Sequence, residues 1–149
     1  MITFFTVPKP FRDHIRIIQE NAIQSWLKVP GSEIILFGDE EGIEQTARKY
    51  DVRHEPYVRK NEYGTPFLDY IFERVEILSN NDILCYVNAD IIILTGIREA
   101  VSIIDFKKFL LVGQRWDLNV EAPLNYKGNT WQDKLLEKVH TLGVLHPRA

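Results

Sequence analysis

Short apolar runs alternate with amphipathic stretches along the chain, and this alternation predicts its secondary structure. The apolar runs are rich in β-branched and aromatic residues, which is typical of strands buried on both faces of a sheet. They predict strands at 2–7, 33–39, 82–87 and 109–113, with a short third strand at 52–55. Apolar residues at helical spacing predict helices at 12–28, 41–50, 65–78, 97–104 and 130–142. Strands alternating with helices predict an α/β fold whose mainly parallel sheet carries helices on both faces, as one domain spanning 1–149.

The predicted start of the third helix rests on the sequence Gly64-Thr65-Pro66. Thr65 is a favourable N-cap residue, because its hydroxyl can accept a hydrogen bond from a backbone N–H of the first turn. Pro66 would then occupy the first helical position, where its missing N–H costs nothing. We therefore expect the helix to begin at this point, directly after a polar loop.

Polar residues and glycines gather where the predicted strands end. In an open α/β sheet, ligands bind beyond the carboxyl ends of the strands, and these ends meet at one edge. Five segments that are distant in sequence are thus expected to converge, which is stronger support for a site than any single motif. The candidate site residues are Thr6, Pro8, Asp39, Arg59, Asn61, Gly64, Thr65, Asn88, Ala89, Asp90, Arg115 and Asp117.

Composition excludes several classes of function and leaves a soluble enzyme or binding protein. The net charge is −3 and no stripe of lysine or arginine compensates for it, which argues against binding nucleic acid. Cys85 is the only cysteine, so it predicts neither an internal disulfide nor a thiolate zinc site. No apolar run approaches the roughly 20 residues of a membrane helix, and the N-terminus does not resemble a signal peptide. A cytoplasmic protein without a transmembrane segment is expected.

The triplet Asn88-Ala89-Asp90 follows the fourth predicted strand and is the most informative short motif. Residues two apart in an extended segment point the same way, so Asn88 and Asp90 could face one ligand. Mg²⁺ and Mn²⁺ prefer oxygen ligands and are commonly held by one or two carboxylates plus substrate phosphates. The structural alternative is that Asp90 caps the following turn while Asn88 satisfies a loop. The triplet by itself does not decide between the two.

The stretch CYVNADIIIL (85–94) resembles the strand and Asp-x-Asp region of GT-A-type glycosyltransferases, the nucleotide-diphosphosugar transferases. FFTVPKPF, ILFGDEEG, VRKNEYGTPFLDYIF and FLLVGQRWDL occur in the order that such a domain would have. The resemblance covers roughly the whole chain and is greatest to family-2-like transferases. It implies a Rossmann-like GT-A fold, a UDP- or GDP-sugar donor, and Mn²⁺ or Mg²⁺ as cofactor.

The resemblance also implies roles around the donor nucleotide. Asp90 would match the last acid of the Asp-x-Asp motif, which binds the metal and the diphosphate. Asn88 would stand where the motif more often has its first aspartate, and would meet the ribose or the sugar. Thr6 and Pro8, together with Asp39, would lie around the base and ribose.

Two further groups of residues would lie near the diphosphate and the sugar. Arg59, Asn61 and the backbone amides of Gly64-Thr65 would face the diphosphate or sugar, in agreement with anion binding at a helix N-terminus. Arg115 and Asp117 would border the donor sugar. No residue is assigned as the catalytic base.

Each of these residues also has a structural interpretation. Asp39 could cap the second helix, and Arg59 could lie in solvent on the surface. The residues at 61–65 suit a turn and a helix cap, and these roles are compatible with ligand contact. Arg115 and Asp117 could form an ordinary surface ion pair.

Two departures from the family pattern change what the resemblance implies. Asn88 is neutral, so metal affinity without the nucleotide is expected to be weak. GT-A enzymes also continue for on the order of a hundred further residues, which bind the acceptor. The chain therefore resembles the donor-binding, N-terminal part of a transferase, and an acceptor half from a partner chain, or a homo-oligomer, is a possible complement. The alternative is a non-catalytic nucleotide-sugar-binding or interaction module.

Other nucleotide-binding folds fit less well. A dinucleotide-binding dehydrogenase would need a G-x-G-x-x-G turn after the first strand, where this chain has TVPKPF. Nucleotidyl transfer on a similar fold stays open, although no glycine-rich basic signature follows that strand. The sugar, the base and the acceptor cannot be inferred from the residues.

Overall fold

The computed structural model describes residues 1–128 and 130–147, so the predicted domain span of 1–149 extends two residues beyond the described part. The elements in the first half are β1 (Ile2–Thr6), α1 (Asp13–Trp26), β2 (Glu33–Phe37), α2 (Ile43–Tyr50), β3 (Arg53–Glu55) and α3 (Leu68–Leu78). They are followed by β4 (Ile83–Tyr86), α4 (Ile97–Ser102), β5 (Trp116–Asp117), α5 (Trp131–Leu142) and β6 (Val144–Leu145).

Four strands form a parallel sheet in the order β3-β2-β1-β4. In the register of β1 with its neighbours, Phe5 lies opposite Ile35 of β2 and Tyr86 of β4. The chain moves outward in one direction from β1 to β3 and then crosses back to place β4 on the other side of β1. The gap between β1 and β4, where the winding direction reverses, is called the switch point below. The predicted α/β fold with a parallel sheet is confirmed.

The two faces of the sheet carry separate apolar cores, because successive side chains of a strand point to opposite faces. Phe4 of β1 and Leu36 of β2 face α1, where Trp26 is fully buried and stacks on Phe4 with ring centroids 6.0 Å apart. The same core includes buried residues of α2 and α4. Phe5 faces the other way, into a smaller core formed with α3. Helices thus cover both faces of the sheet, as predicted.

The third helix begins later than its sequence predicts. α3 starts at Leu68, its N-cap position is Phe67, and no side chain makes a capping hydrogen bond there. Thr65 is therefore not the N-cap and Pro66 is not the first helical residue. Pro66 instead pairs with Lys60 in an isolated antiparallel bridge, so the residues before the helix close a tight hairpin.

The strand predicted at 109–113 is wrong: no strand occurs there, and the segment is exposed. The chain after β4 is drawn onto α1 instead, where the Trp26 indole donates to the Ile91 carbonyl and Ser25 accepts from the Ile93 backbone. Further along, Trp116 and Asp117 pair with Leu145 and Val144 in a small antiparallel sheet that the sequence pattern did not predict. These attachments on either side hold the segment away from the edge of the main sheet.

A third apolar cluster attaches the C-terminal part of the chain to α1. It contains Tyr126, Trp131 and Leu135, with Ile92 and Leu94 packed against it. The apolar run after β4 is therefore explained without a strand, since Ile91 and Ile93 face the first core while Ile92 and Leu94 face this cluster. Within the described ranges, no helix has the length and apolar character needed to span a membrane.

Candidate functional site

The carboxyl end of the sheet brings the ends of β1 and β4 side by side at the switch point. Phe5 and Tyr86 are directly opposite, and the Val87 N–H donates to the Phe5 carbonyl over 3.2 Å. This is the last hydrogen bond between the two strands. Thr6 follows Phe5 directly, and Asn88 follows Val87 directly. A switch point between parallel strands leaves a crevice that the crossover connections do not fill, and ligands of open α/β folds bind there.

Thr6 lies at this point and has an unpartnered hydroxyl. Its side chain is 1% exposed, and its Oγ1 makes no hydrogen bond in the structure. Leaving a buried hydroxyl unpaired costs about 1–3 kcal/mol, so such groups are uncommon and often belong to binding sites. Among the predicted site residues, Thr6 is thus the one whose buried polar group lacks a partner in the described chain.

The loop after β1 is held by Gln19, a polar residue on the buried face of α1. Gln19 is 3% exposed, accepts from the Lys9 N–H and donates to the Lys9 carbonyl, each over 2.8 Å. These two bonds fix the backbone next to Pro8, which is itself buried. The signal was present in the sequence, because Gln19 lies one helical turn from both Ile15 and Ile23.

Asn88, Ala89 and Asp90 form a turn and not the extended segment that the alternation argument assumed. The Ile91 N–H donates to the Asn88 carbonyl over 3.0 Å, while Ala89 is buried and the side chains of Asn88 and Asp90 are exposed. The reason is that the chain must leave the sheet here to reach α1. The rule that residues two apart point the same way therefore does not apply, although both polar side chains remain accessible beyond the end of β4.

Asp39 is engaged in an ion pair that sequence analysis missed. Its carboxylate accepts from the Lys60 ammonium over 2.9 Å, and Lys60 also contacts Glu40 over 3.2 Å. The hydrogen bond and charge of Lys60 lower the pKa of Asp39 below its ordinary value. The pair joins the end of β2 to the loop before α3. Asp39 does not make a capping hydrogen bond to α2, whose N-cap position is Gly42.

Asn61 organises the hairpin at 60–66. Its side-chain oxygen accepts from the backbone N–H groups of Tyr63 and Thr65, each over 2.9 Å, and its own backbone pairs with Thr65. Gly64 has a φ of +79°, a left-handed conformation that favours glycine. The structural interpretation of these residues as turn chemistry is correct, and the hairpin is held in shape before any ligand arrives.

Arg59 packs against aromatic rings instead of extending freely into solvent. Its guanidinium lies 5.6 Å from the ring centroid of Phe67 and 5.9 Å from that of Tyr70. These distances are within the range of cation–π attraction. Its carbonyl accepts from the Phe67 N–H, so Arg59 is tied to the start of α3 through both its backbone and its side chain.

Arg115 and Asp117 are joined to each other and to the small C-terminal sheet. The Arg115 guanidinium donates to the Asp117 carboxylate over 2.8 Å, and this contact lowers the pKa of Asp117. The Arg115 carbonyl accepts from the His146 N–H. Within the described chain these hydrogen bonds and ion pairs join Arg115 to Asp117 and to His146, away from the switch point, so both residues fit the surface-pair interpretation. Trp116 between them is 49% exposed and lies outside the core.

A divalent cation at the switch point would have one carboxylate from this chain. Among residues 1–128 and 130–147, no three histidine, cysteine, aspartate or glutamate side chains cluster to form a complete metal site. Asp90 is exposed and Asp39 is already paired with Lys60. The residues fit a shared site, in which Asp90 supplies one oxygen ligand and the phosphates of a bound ligand supply others.

An open depression lies at the opposite, amino edge of the sheet. It has a volume of about 430 Å³ and includes Glu33, Arg53 and Asn80 in its lining. The Glu33 carboxylate accepts from Thr3 and from the backbone and side chain of Asn80. Since these bonds already occupy the carboxylate, we interpret this depression as a structural feature and keep the candidate site at the carboxyl edge.

Comparisons of the chain with known protein families, with curated proteins and with solved structures found no match. The parallel α/β sheet and the geometry of its switch point are therefore the observations from which a function can be argued.

Proposed function

We propose that the chain binds a nucleotide diphosphosugar at the switch point, as the donor-binding domain of a metal-dependent glycosyltransferase of the GT-A type. One observation carries the proposal: Thr6, whose buried hydroxyl has no partner, and the Asn88–Asp90 turn stand at the carboxyl ends of adjacent parallel strands. Donor, metal and transfer chemistry are inferred from this juxtaposition together with the resemblance of the sequence motifs.

The position of the polar groups supports a ligand with both a sugar-like and an anionic part. Thr6 offers a hydroxyl within the protein, while Asn88 and Asp90 offer an amide and a carboxylate at the surface. A ribose or sugar hydroxyl would bond with the exposed Asn88, and a shift of the loop after β1 would be needed to bring it to the buried Thr6 hydroxyl. A carboxylate repels phosphate, so Asp90 would serve a diphosphate only with a cation between them.

Mn²⁺ or Mg²⁺ would act as a Lewis acid that stabilises the charge on the leaving diphosphate. Asp90 would hold the cation, and its single charge makes binding depend on the phosphates. The hairpin at 60–66 would border the site as a preformed loop, because Asn61 already holds its shape. The expected role of the Gly64 and Thr65 amides toward the diphosphate is wrong for this conformation, since both N–H groups already donate to Asn61. Lys60 would restrain the end of β2 through Asp39.

A second candidate is a domain that binds the same donor without transferring the sugar. The observation favouring it is that no carboxylate near the site is set up as a catalytic base. Asp39 is paired with Lys60, and among the described residues no hydrogen bond positions a base beside Asp90. Binding with no loss of donor over time would identify this function. Transfer or hydrolysis of the donor would identify the first.

The proposal is tested by calorimetric titration of UDP, GDP and their sugar conjugates, with and without Mn²⁺. We expect one nucleotide to bind in the presence of metal, and Asp90→Asn to weaken this binding at least about tenfold, which corresponds to about 1.4 kcal/mol. Asp51→Asn is the matched control, because Asp51 is exposed at the amino edge and has a φ of +53°, which asparagine accepts.

Different outcomes separate the parts of the proposal. Equal loss in Asp51→Asn would point to a general charge effect, and unchanged affinity in Asp90→Asn would remove the metal role of Asp90. If no nucleotide binds under any condition, the donor-binding function is wrong for this chain.

A further inference from the structure

The outer edge of β4 is open in the described part of the chain. β4 pairs with β1 on one side only. The Val87 N–H points toward β1, where it donates to Phe5, and the backbone N–H and C=O groups of successive residues point alternately toward β1 and away from it. The N–H and C=O groups of Leu84 and Tyr86 therefore point away from β1. Exposed edges of this kind are templates for pairing with another strand.

The apolar face beside this edge is also incompletely covered. Tyr86 is 37% exposed and Phe72 of α3 is 43% exposed, with their rings 6.0 Å apart. Both rings contact Phe5 in the core beneath them. In a strand added to β4, every second side chain would lie on the same face of the sheet as these two rings and would cover them.

The segment at 109–112 has the composition of such a strand but lies in solvent. It reads Phe-Leu-Leu-Val, and Leu110 is 89% exposed while Val112 is 62% exposed. A run that is apolar at every position is typical of a strand buried on both faces of a parallel sheet. Its exposure here is costly, because apolar burial contributes roughly 25 cal/mol per Å².

The charges that flank the segment and β4 are complementary. The positively charged Lys108 directly precedes the apolar run 109–112, and the negatively charged Asp82 directly precedes the run 83–86. In a parallel register that pairs 109–112 with 83–86, Lys108 lies next to Asp82. Neither side chain has a hydrogen-bond or ion-pair partner in the described structure.

We propose that two copies of the chain associate by reciprocal strand addition, in which segment 109–112 of each copy pairs in parallel with β4 of the other. Leu110 and Val112 then cover Phe72 and Tyr86, and Lys108 pairs with Asp82. The interface is isologous, since each copy supplies one segment and one edge. It uses the outer side of β4 and is independent of the proposed donor site.

A second copy is the occupant favoured by the way the segment is anchored. Before it, Val101 of α4 is buried in the first core. After it, Gln114 donates to the His146 carbonyl, and Trp116 pairs with Leu145. With both ends attached, the segment can offer its side chains to another molecule without breaking contacts in its own.

The register is tested with the single native cysteine. Residue 111 lies opposite Cys85 in the proposed pairing, and adjacent strands are about 4.8 Å apart, within the range that a disulfide bridges. We expect Leu111→Cys to form a covalent dimer under copper-catalysed oxidation. Leu110→Cys is the matched control, because its side chain faces the opposite side of the sheet and is expected to form little dimer.

The oxidation has three outcomes that would overturn the proposal. A disulfide within one chain, seen as an oxidised monomer, would show that the segment docks on its own β4. Equal dimer from Leu110→Cys would show that contact is non-specific. No disulfide either in Leu111→Cys or in the double variant Asp82→Cys/Lys108→Cys, whose two positions are exposed and opposite each other in the same register, would show that segment 109–112 and β4 do not meet in this register.

The association itself is tested by sedimentation over a concentration series. We expect Leu110→Asp to raise the dimer dissociation constant by at least about a hundredfold, since a charge would enter an apolar contact. Ile77→Asp controls for the loss of an exposed apolar residue, because Ile77 is 74% exposed on α3 and is outside the proposed contact. A wild-type chain that stays monomeric at every concentration would overturn the proposal.

Discussion

Thr3 and Thr6 lie three residues apart in β1 and are both buried, but their hydroxyls have different surroundings. The Thr3 hydroxyl donates to Glu33 over 2.8 Å and also contacts Ser79 and Asn81. The Thr6 hydroxyl makes no hydrogen bond. The same residue type therefore stabilises the fold at one position and leaves a buried hydroxyl unpaired at the other.

Replacing each threonine by valine, which has nearly the same shape, is expected to have opposite effects on stability. Thr6→Val should raise the free energy of unfolding by about 1 kcal/mol, because it removes an unpaired buried hydroxyl. Thr3→Val should lower it by about 1–3 kcal/mol, because it leaves buried partners unpaired. Urea unfolding at 25 °C measures both. A loss of stability in Thr6→Val equal to that in Thr3→Val would show that Thr6 is paired in solution.

Cys85 shows how burial controls reactivity at a single residue. Desolvation raises the pKa of its thiol to about 11, so little thiolate forms near neutral pH. Its side chain packs against the first core. Both observations indicate that Cys85 acts as an apolar residue of low reactivity near neutral pH.

At the scale of elements, Glu33 holds the amino ends of three strands together. It begins β2, accepts from Thr3 in β1, and accepts from the backbone and side chain of Asn80 just before β4. Burial raises the pKa of Glu33, but the bonds from Asn80 and Thr3 outweigh it, so the pKa lies below the ordinary 4.5. The ionised form is therefore bound more favourably in the folded state.

This lowered pKa predicts a specific dependence of stability on pH. The contribution of Glu33 is present above its unfolded-state pKa of about 4.5 and is lost as the pH falls through the lower folded-state value. Glu33→Gln should cost about 1–3 kcal/mol at pH 7, and its difference from wild type should shrink below pH 4.5. Urea unfolding across this range measures the difference.

The control for this pH dependence is Glu76→Gln, which removes the same charge from the exposed surface of α3. We expect its free energy of unfolding to stay within about 0.5 kcal/mol of wild type. A difference for Glu33→Gln that is constant from pH 7 to pH 3 would contradict the role of the ionised carboxylate.

At the scale of the whole molecule, Asn21 connects the main sheet layer to the C-terminal part. Its side chain donates to the Ala122 carbonyl over 3.0 Å and accepts from the Leu124 N–H over 2.8 Å. Its carbonyl accepts from the Tyr126 hydroxyl over 2.7 Å. Since Asn21 is 1% exposed and belongs to α1, these bonds position the third apolar cluster against the first helix.

Asn21→Ala is expected to destabilise the C-terminal part of the chain more than the main sheet. The change removes two side-chain hydrogen bonds and should cost about 2–3 kcal/mol. Hydrogen exchange should accelerate in α5 more than in β1 and β2, because α5 packs through the cluster that Asn21 anchors. Gln24→Ala, which alters one bond within α1, is the control. Uniform acceleration in all elements would show that the molecule unfolds as one unit.

The sequence by itself determined the parallel α/β sheet and most helices, because β1, β2 and β4 are rich in apolar, β-branched and aromatic residues and the helices have one apolar stripe. It also located the polar residues that follow β1, β2 and β4. These features depend on local pattern and on the rule that parallel strands end at a common edge, so they can be derived without knowing any contact.

Only the tertiary structure decided which polar groups are free and where the chain leaves the sheet. Asp39 is paired with Lys60 and Asn61 with its own hairpin, whereas the Thr6 hydroxyl has no partner. Segment 109–112 is apolar enough for a strand, yet it lies in solvent. The physical reason is that hydrogen bonds, ion pairs and strand pairing join residues that are far apart in sequence. A local sequence pattern does not show which of these residues are close together in the folded chain.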